Sequence, residues 1–354
     1  NIQNKNDLMS SSVDLLKPGY QSVVLITAMC FAEILSMLGV FAFPAILPKF
    51  IKLWNLTNSE AGWINGIYFA GYTLAVPLLT SLTDRLDARW IYLISCTIGG
   101  LANLGFAFLA DGFWTALLFR ALSGLGLAGT FIPGLKALID RLDAKSHPRA
   151  VSFYTACFGL GMSVSFYCAG EMFRISGWQS VFKVSAVGSA VALLVSFLVL
   201  KRKAVQKQSD GSDTHHILDF RPIWKNRGSR VYILVYMCHM WEMFAARSWL
   251  VAFLTFSISL QQIQGDYMAP TTVMALAGIG GMLASIAGGE LSVKYDRGKV
   301  VSIIMGISFI LAVSIGFLAN LPYYWVVFLC ILYTLFFQGD SAAIHAGVIT
   351  SSKP

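Results

Sequence analysis

Ten stretches of this chain are apolar over roughly 20 residues, the length that an α-helix needs to cross the hydrocarbon core of a bilayer. Only 12% of the residues are charged and 56% are hydrophobic, whereas about a quarter of a soluble domain is charged. We therefore predict an all-α integral membrane protein. The predicted spans, numbered 1 to 10 in chain order, cover residues 21–46, 59–82, 90–110, 113–139, 149–172, 178–200, 230–258, 270–293, 300–320 and 322–349.

A short charged loop occurs twice. Residues 81–89 read SLTDRLDAR, and residues 290–298, which lie 209 positions later, read ELSVKYDRG. Leucine, a hydroxyl residue, a basic residue and an aspartate recur in register, and each copy lies between two apolar spans. This repetition predicts an internally duplicated protein, and such duplication is typical of secondary transporters.

The duplication divides the chain into three parts. We expect an N-terminal bundle of spans 1–6 at residues 1–200, a polar and basic cytoplasmic linker at residues 201–229, and a C-terminal bundle of spans 7–10 at residues 230–354. If each half is a repeat of six spans, two further helices would follow Pro354. The expectation is thus a fragment that holds ten helices of a twelve-helix fold.

The positive charges give the orientation. Most of the 26 Lys and Arg residues fall in alternate gaps between spans, and the opposite gaps hold only Lys49, Lys52 and Arg174. By the positive-inside rule the N-terminus and the linker are cytoplasmic. The net charge of +8 follows this membrane pattern, so we do not expect a nucleic-acid partner. We predict a multi-pass protein of the plasma or bacterial inner membrane.

Three motifs in the first half resemble those of one transporter family. Span 4 carries Arg120-x-x-x-Gly124-x-Gly126, and residues 177–182 read GWQSVF at the entry to span 6. In the loop after span 2, Leu82, Asp84, Arg85 and Arg89 follow a Gly-x-Leu-Ala-Asp-Arg-x-Gly-Arg-Lys pattern, while Thr80, Thr83, Asp87 and Ala88 depart from it. Together these motifs resemble the major facilitator superfamily.

The resemblance implies two pseudo-symmetric six-helix bundles around a cavity that opens alternately to each side of the membrane. It also implies a secondary active transporter of a small polar or anionic solute, without a cofactor and monomeric. Residues 165–170 read SFYCAG, with Phe166 at the place of the family's antiporter proline. This departure favours uptake or facilitated transport over drug/proton antiport. We expect the uptake to be coupled to protons.

Other functions remain open at this point. A drug or metabolite exporter of the same superfamily and a non-transporting sensor with this fold are the alternatives. Residues 241–250 resemble cyanate and nitrate/nitrite carriers, although spans 2 and 8 lack the substrate arginines of the nitrate carriers. The chain contains no hydrolase or nucleotide-binding motif, so we do not expect an enzyme.

The first span of each half carries one glutamate near its middle. Adding the repeat offset to Glu33 gives Glu242. A carboxyl within the membrane is costly, and an apolar environment disfavours its charged form, which suits a group that gains and loses a proton. Glu242 is the stronger candidate because His239 and Trp249 share its helix face. The alternative role is an interhelical hydrogen bond that fixes packing.

Three further ionisable groups lie within spans. Arg120 must meet a carboxylate, a backbone carbonyl, water or an anionic solute, because arginine stays charged. Arg247 either contacts the solute or extends toward the membrane surface. Asp340 is a coupling candidate that could instead cap a helix break at Gly339.

The repeated loops provide candidates for gating. The family resemblance implies a latch at the cytoplasmic mouth, whereas the alternative is ordinary positive-inside anchoring. The presence of Asp84 favours the latch, because an acidic residue does not contribute to the positive-inside signal that orients the protein. The candidate gating residues are Asp84, Arg85, Arg89, Lys294, Asp296 and Arg297.

Overall fold

A computed structural model describes residues 18–203, 226–263 and 265–351 of the chain. Every regular element in these residues is helical. The chain separates into two compact units, Asn1–Asp210 and Gly211–Pro354. Most of the predicted linker lies outside the described residues.

Nine α-helices are described in the first unit. They are α1 (Pro18–Ser36), α2 (Ala42–Ala45), α3 (Leu47–Leu53), α4 (Asn58–Leu82), α5 (Ala88–Leu109), α6 (Phe113–Ala128), α7 (Ile132–Ile139), α8 (His147–Ser176) and α9 (Trp178–Val199). Span 1 corresponds to α1–α3 and span 4 to α6 and α7. The other helices of this unit correspond to one predicted span each.

Five α-helices are described in the second unit. They are α10 (Arg227–Leu260), α11 (Pro270–Lys294), α12 (Arg297–Ile315), α13 (Tyr323–Gly339) and α14 (Ser341–Ser351). Span 10 corresponds to α13 and α14. Span 7 corresponds to α10, which begins three residues before the predicted boundary.

The helices have the dimensions and surfaces of membrane spans. Eight helical segments of the described chain are long and apolar enough to cross a bilayer. Large apolar side chains are exposed on several of them, including Leu101 on α5, Trp114 on α6 and Phe309 on α12. Extensive exposed apolar surface is costly in water but is the surface that lipid requires.

Span 1 is broken rather than continuous. The α-helix ends at Ser36, and the segment that follows contains Gly39, which favours loss of helix. A side chain of a neighbouring helix forms hydrogen bonds with the backbone groups that the break leaves unpaired. Ser165 of α8 accepts the Phe41 N–H at 3.0 Å and donates to the Leu38 carbonyl at 2.8 Å. Irregular backbone at this depth is tolerated because protein side chains replace the lost hydrogen bonds.

The fourth span of each half is also broken. Residues 129–131 separate α6 from α7, and Asp340 separates α13 from α14. The repeat offset carries residues 129–131 onto residues 338–340, so the two breaks occupy the same place in the duplication. In the second half α11 packs tightly against the break, because a side chain at Gly288 of α11 would collide with the Gly339 carbonyl. Five candidate site residues lie at or beside these breaks, namely Glu33, Arg120, His239, Arg247 and Asp340.

Candidate functional site

Glu33 is completely buried in the first unit. It lies on the last turn of α1, immediately before the break in span 1. Its Oε1 atom has no hydrogen-bond partner, and no cation of the described residues lies within ion-pair distance of the carboxyl. The core around it is apolar, with Met29, Ala32 and Ala137 among its members.

The other carboxyl oxygen of Glu33 contacts a tyrosine. The hydroxyl oxygen of Tyr154, on α8, lies 2.8 Å from Oε2 of Glu33. The same hydroxyl oxygen lies 2.8 Å from the carbonyl oxygen of Thr130, which belongs to the break between α6 and α7. Gly134 of α7 leaves room for this hydroxyl, because a side chain there would collide with it. Tyr154 thus joins the break of span 4 to the carboxyl on span 1.

Arg120 stabilises the break of span 1. This fully buried residue of α6 donates through Nη1 to the Gly39 carbonyl and through Nη2 to the Val40 carbonyl, both at 3.0 Å. Its guanidinium lies 4.0 Å from the centroid of the Tyr68 ring, a cation–π distance. Of the partners considered from the sequence, backbone carbonyls are the ones it contacts in this structure.

Glu242 of the second unit has a different environment from Glu33. It is only partly buried, and its Oε1 atom accepts a 2.6 Å hydrogen bond from the Ser308 hydroxyl of α12. The Glu242 carboxyl also forms a hydrogen bond with Tyr333 of α13. Glu33 therefore contacts the fifth span of its half, and Glu242 contacts the third and fourth spans of its own.

A second buried polar pair joins α10 to the break of span 10. Nδ1 of His239 lies 2.8 Å from Oδ1 of Asp340, and both side chains are almost inaccessible. The separation is that of an ion pair or a short hydrogen bond, although the N–H direction is poorly aligned. His239 is thus close to Asp340, the residue between α13 and α14, and it shares α10 with Glu242.

Arg247 and Trp249 lie farther along α10. Arg247 is 4% exposed and donates from Nη2 to Oε1 of Gln338 at 2.9 Å, so its head is held inside the unit rather than extending outward. Gln338 is the last residue but one of α13, directly before the break. Trp249 is partly buried. Two polar side chains of α10 therefore contact the broken region of span 10.

In the first repeated loop, the carboxylate with partners is Asp87 rather than Asp84. Asp87 accepts Nη2 of Arg141 at both oxygens, at 2.8 and 2.7 Å, and accepts the backbone N–H groups of Arg89 and Lys203. Burial opposes the charged form, but these hydrogen bonds outweigh it and lower the pKa of Asp87. Arg141 also donates to the Lys201 carbonyl at 2.6 Å. The pair thereby ties α5 to the residues that follow α9.

The gating candidates of the first unit lie in different surroundings. Asp84 and Arg85 are exposed. Arg89 is 5% exposed and donates to the Phe197 carbonyl at 2.9 Å, so it contributes to packing within the unit. Asp84 and Arg85 are thus the two that are accessible at this end of the bundle.

The second loop has the same capping arrangement as the first. Asp296 caps α12 by accepting the Lys299 N–H at 2.9 Å, and Asp87 is the N-cap of α5. Side-chain oxygens at this position satisfy N–H groups that a helix leaves unpaired. Lys294 is exposed and its ammonium lies 5.5 Å from the Tyr295 ring centroid, and Arg297 is partly buried. The aspartate that recurs in register is therefore a helix cap in both halves.

Several residues of these sites were not identified from the sequence. They are Tyr154, Ser165, Asp87, Arg141, Ser308 and Gln338. Asp87 could have been found, because the repeat aligns it with Asp296. Tyr154 and Ser165 carry no such signal, since a tyrosine or serine within an apolar helix is common. The described residues contain no group of three potential metal ligands.

Comparisons of sequence agree with this architecture. Residues 29–352 match the sequence profile of the Major Facilitator Superfamily. The chain is 27% identical to human protein spinster homolog 1 over 203 residues, which covers 55% of this chain and 38% of that protein. It is 28% identical to a niacin transporter of Acinetobacter baylyi over 163 residues, covering 46% and 36% of the two chains. The chain thus spans less than half the length of these relatives.

Solved structures with the same fold are also membrane transporters. One is a bacterial homolog of the human lysosomal transporter Spinster, with a TM-score of 0.71, 17% identity, and coverage of 95% of this chain and 79% of that one. Another is the nucleoside transporter NupG, with a TM-score of 0.72, 16% identity, and coverage of 92% and 80%. At these identities the likeness establishes the fold alone. From the fold and the profile match together, the chain belongs to the Major Facilitator Superfamily of membrane transporters, not to an enzyme family.

Proposed function

We propose that this protein is a secondary transporter that takes up a small polar or anionic solute by alternating access and couples the movement to protons. The superfamily membership supports transport of a solute. The likeness to a niacin transporter supports a small organic acid as one solute class, and the likeness to a nucleoside transporter supports a small polar one. The narrower resemblance to cyanate and nitrate carriers stays a prediction.

The observation that carries proton coupling is the environment of Glu33. An ionised carboxylate buried without a cation costs several kcal/mol, so such a group is held neutral or changes its protonation as its surroundings change. Glu33 has this environment in the present structure. A buried acid beside two helix breaks can bind a proton in one conformation and release it in another.

The second unit supplies further candidates for coupling and solute contact. Glu242 and the pair of His239 and Asp340 are groups that can exchange protons, and Arg247 and Trp249 are candidates for contact with the solute. The contacts of Glu242 with Ser308 support a role in packing as well. We therefore place Glu33 before Glu242 as the coupling site, which reverses the order suggested by the sequence.

The two repeated loops are proposed to form the gate at the cytoplasmic mouth. Asp84, Arg85, Lys294 and Arg297 are the groups we assign to contacts that change between conformations. Arg89 and Asp296 would act indirectly, by fixing the helix ends that carry those contacts. The cytoplasmic N-terminus, the plasma or inner membrane location and a monomeric state complete the proposal.

Uptake by the full-length protein in proteoliposomes tests this function. Labelled niacin and labelled nucleosides are offered with an imposed pH difference, acidic outside. We expect accumulation of one of them above its external concentration, because protons entering with the solute supply the free energy. Glu33→Gln should abolish accumulation but retain exchange of labelled for unlabelled solute, since exchange requires no net proton movement.

The matched control is Glu171→Gln. Glu171 is a partly buried carboxylate of the same unit that pairs with the exposed Arg174 within one helical turn, so its loss should leave accumulation unchanged. Accumulation that does not depend on the pH difference, or that survives Glu33→Gln, would contradict the proposal. Solute leaving the vesicles against its gradient would instead identify an exporter.

A further inference from the structure

The hydroxyl of Tyr154 has two close oxygen neighbours but only one proton. It lies 2.8 Å from Oε2 of Glu33 and 2.8 Å from the Thr130 carbonyl oxygen. Both separations are those of O–H···O hydrogen bonds, and each such bond needs a hydrogen between its oxygens. A phenol donates once, and a backbone carbonyl carries no hydrogen. The second hydrogen must therefore belong to the carboxyl of Glu33.

We infer that this structure holds Glu33 as a neutral carboxylic acid, and that Tyr154 is a positioning residue that links its proton to the break in span 4. The carboxylic acid of Glu33 donates to the Tyr154 hydroxyl oxygen, and the Tyr154 hydroxyl donates to the Thr130 carbonyl. This inference deepens the coupling role proposed above and depends on it only for the consequence in transport.

The groups around Glu33 are consistent with a neutral acid. Phenols and thiols carry no charge at physiological pH, and they are what faces this carboxyl from the elements packed around it. They are Tyr154 and Cys157 of α8, Tyr92 and Cys96 of α5, Tyr68 of α4 and Cys30 of α1 itself. The buried cation Arg120, on α6, donates to the carbonyls of Gly39 and Val40 instead. Nothing described in this region balances a carboxylate charge.

Release of the Glu33 proton would redirect the hydrogen bond that Tyr154 donates. When the proton of Glu33 leaves, its carboxylate becomes the stronger acceptor, and the Tyr154 hydroxyl turns its hydrogen toward it. The Thr130 carbonyl then loses its donor, and burial makes an unpaired carbonyl costly. The break between α6 and α7 must rearrange to satisfy it. The protonation state of Glu33 on span 1 thereby affects the conformation of span 4.

The protonation state is measured by infrared spectroscopy of the full-length protein in liposomes at neutral pH. A neutral Glu33 gives a carboxylic-acid C=O stretching band that disappears in Glu33→Gln. In Tyr154→Phe the band should persist and move to higher frequency, because the acid no longer donates to the phenol. Absence of any band that Glu33→Gln removes would overturn the inference.

The link to span 4 is measured by hydrogen exchange of the peptide that contains residues 129–131. Tyr154→Phe should accelerate this exchange about fivefold, the effect of losing one buried hydrogen bond. Glu33→Gln should leave it unchanged, because the amide N–H donates to Tyr154 as the neutral acid does. Tyr323→Phe is the matched control, since Tyr323 donates to the Met268 carbonyl in the other unit.

The outcomes separate this inference from the proposed function. Equal exchange of residues 129–131 in the wild type and in Tyr154→Phe would overturn the link to span 4. If the acid band is present but solute accumulation does not depend on the pH difference, the proposed proton coupling is wrong and the inference of a neutral Glu33 is retained. If accumulation follows the pH difference but the band is absent, the function stands and the inference fails.

Discussion

At the scale of single residues, the buried charged groups are explained by the breaks in the helices. Arg120 is charged in an apolar bundle because two backbone carbonyls at the break of span 1 need donors. A guanidinium supplies several N–H groups in a fixed fork, whereas an ammonium is a point charge on a flexible stem. Glu33 has no comparable set of partners, so we assign Arg120 to packing and propose a titrating role for Glu33.

The first prediction concerns Arg120→Lys. We expect the free energy of unfolding of the first unit to fall by about 2 kcal/mol, because a lysine cannot hold both carbonyls and leaves one unpaired. Thermal unfolding in detergent, with hydrogen exchange of residues 37–41 as a local probe, measures the effect. Arg174→Lys is the control, because Arg174 is exposed and pairs only within its own turn. Equal losses in the two variants would show that Arg120 has no special role at the break.

The sequence was informative at this scale for groups that are unusual in a membrane. Glu33, Arg120 and Asp340 were identified because ionisable side chains rarely occur within spans. Tyr154 was not identified, because its two partners lie 121 and 24 positions away in the chain. Only the folded arrangement brings that hydroxyl between a carboxyl and a carbonyl.

At the scale of elements, the sequence predicted where helices lie better than where they break. The described helices coincide with the predicted spans to within a few residues at most ends. The breaks in spans 1 and 4 were not predicted, because their segments are as apolar as regular helix. Span 7 is continuous where span 1 is broken: residues 246–250 contain no glycine or proline. Local residue choice thus overrides the repeat.

The second prediction concerns Asp87→Asn at the start of α5. We expect the unfolding free energy to fall by about 2 kcal/mol at neutral pH, because an asparagine offers Arg141 one neutral acceptor oxygen in place of the two oxygens of a charged carboxylate. The pKa of Asp87 is lowered by folding, so its stabilisation is present above the ordinary aspartate value of 3.8 and is lost as the pH falls through the lower folded value. Unfolding curves of wild type and variant should therefore converge in acid.

Asp84→Asn provides the matched control for this prediction. Asp84 lies three positions earlier in the same loop but is exposed, so its replacement should leave the unfolding curve unchanged at every pH. A gating role would instead appear as altered spin-label distances across the cytoplasmic mouth. Equal destabilisation by the two variants would contradict the assignment of Asp87 as the buried partner of Arg141.

At the scale of the whole molecule, the duplication relates two units that have diverged in chemistry. Both units break their fourth span at the same place, and in both a side-chain contact joins that break to the first span of the half. The contact is Glu33–Tyr154–Thr130 in the first unit and His239–Asp340 in the second. The superfamily fold was predicted from the resemblance of three motifs in the first half, and the internal duplication was predicted from the repeated loop. The identity of the solute does not follow from those features, because neither the motifs nor the repeated loop determines which side chains contact the solute.

The central claim, that Glu33 carries the proton that is coupled to solute movement, is tested most directly by proton flux. A pH-sensitive dye is enclosed in proteoliposomes of the full-length protein without an imposed gradient, and a solute that the protein exchanges is added outside. We expect the interior to acidify as solute enters through the wild type, and no acidification in Glu33→Gln, which still exchanges the solute. Solute entry through the wild type with no change of internal pH would contradict the account.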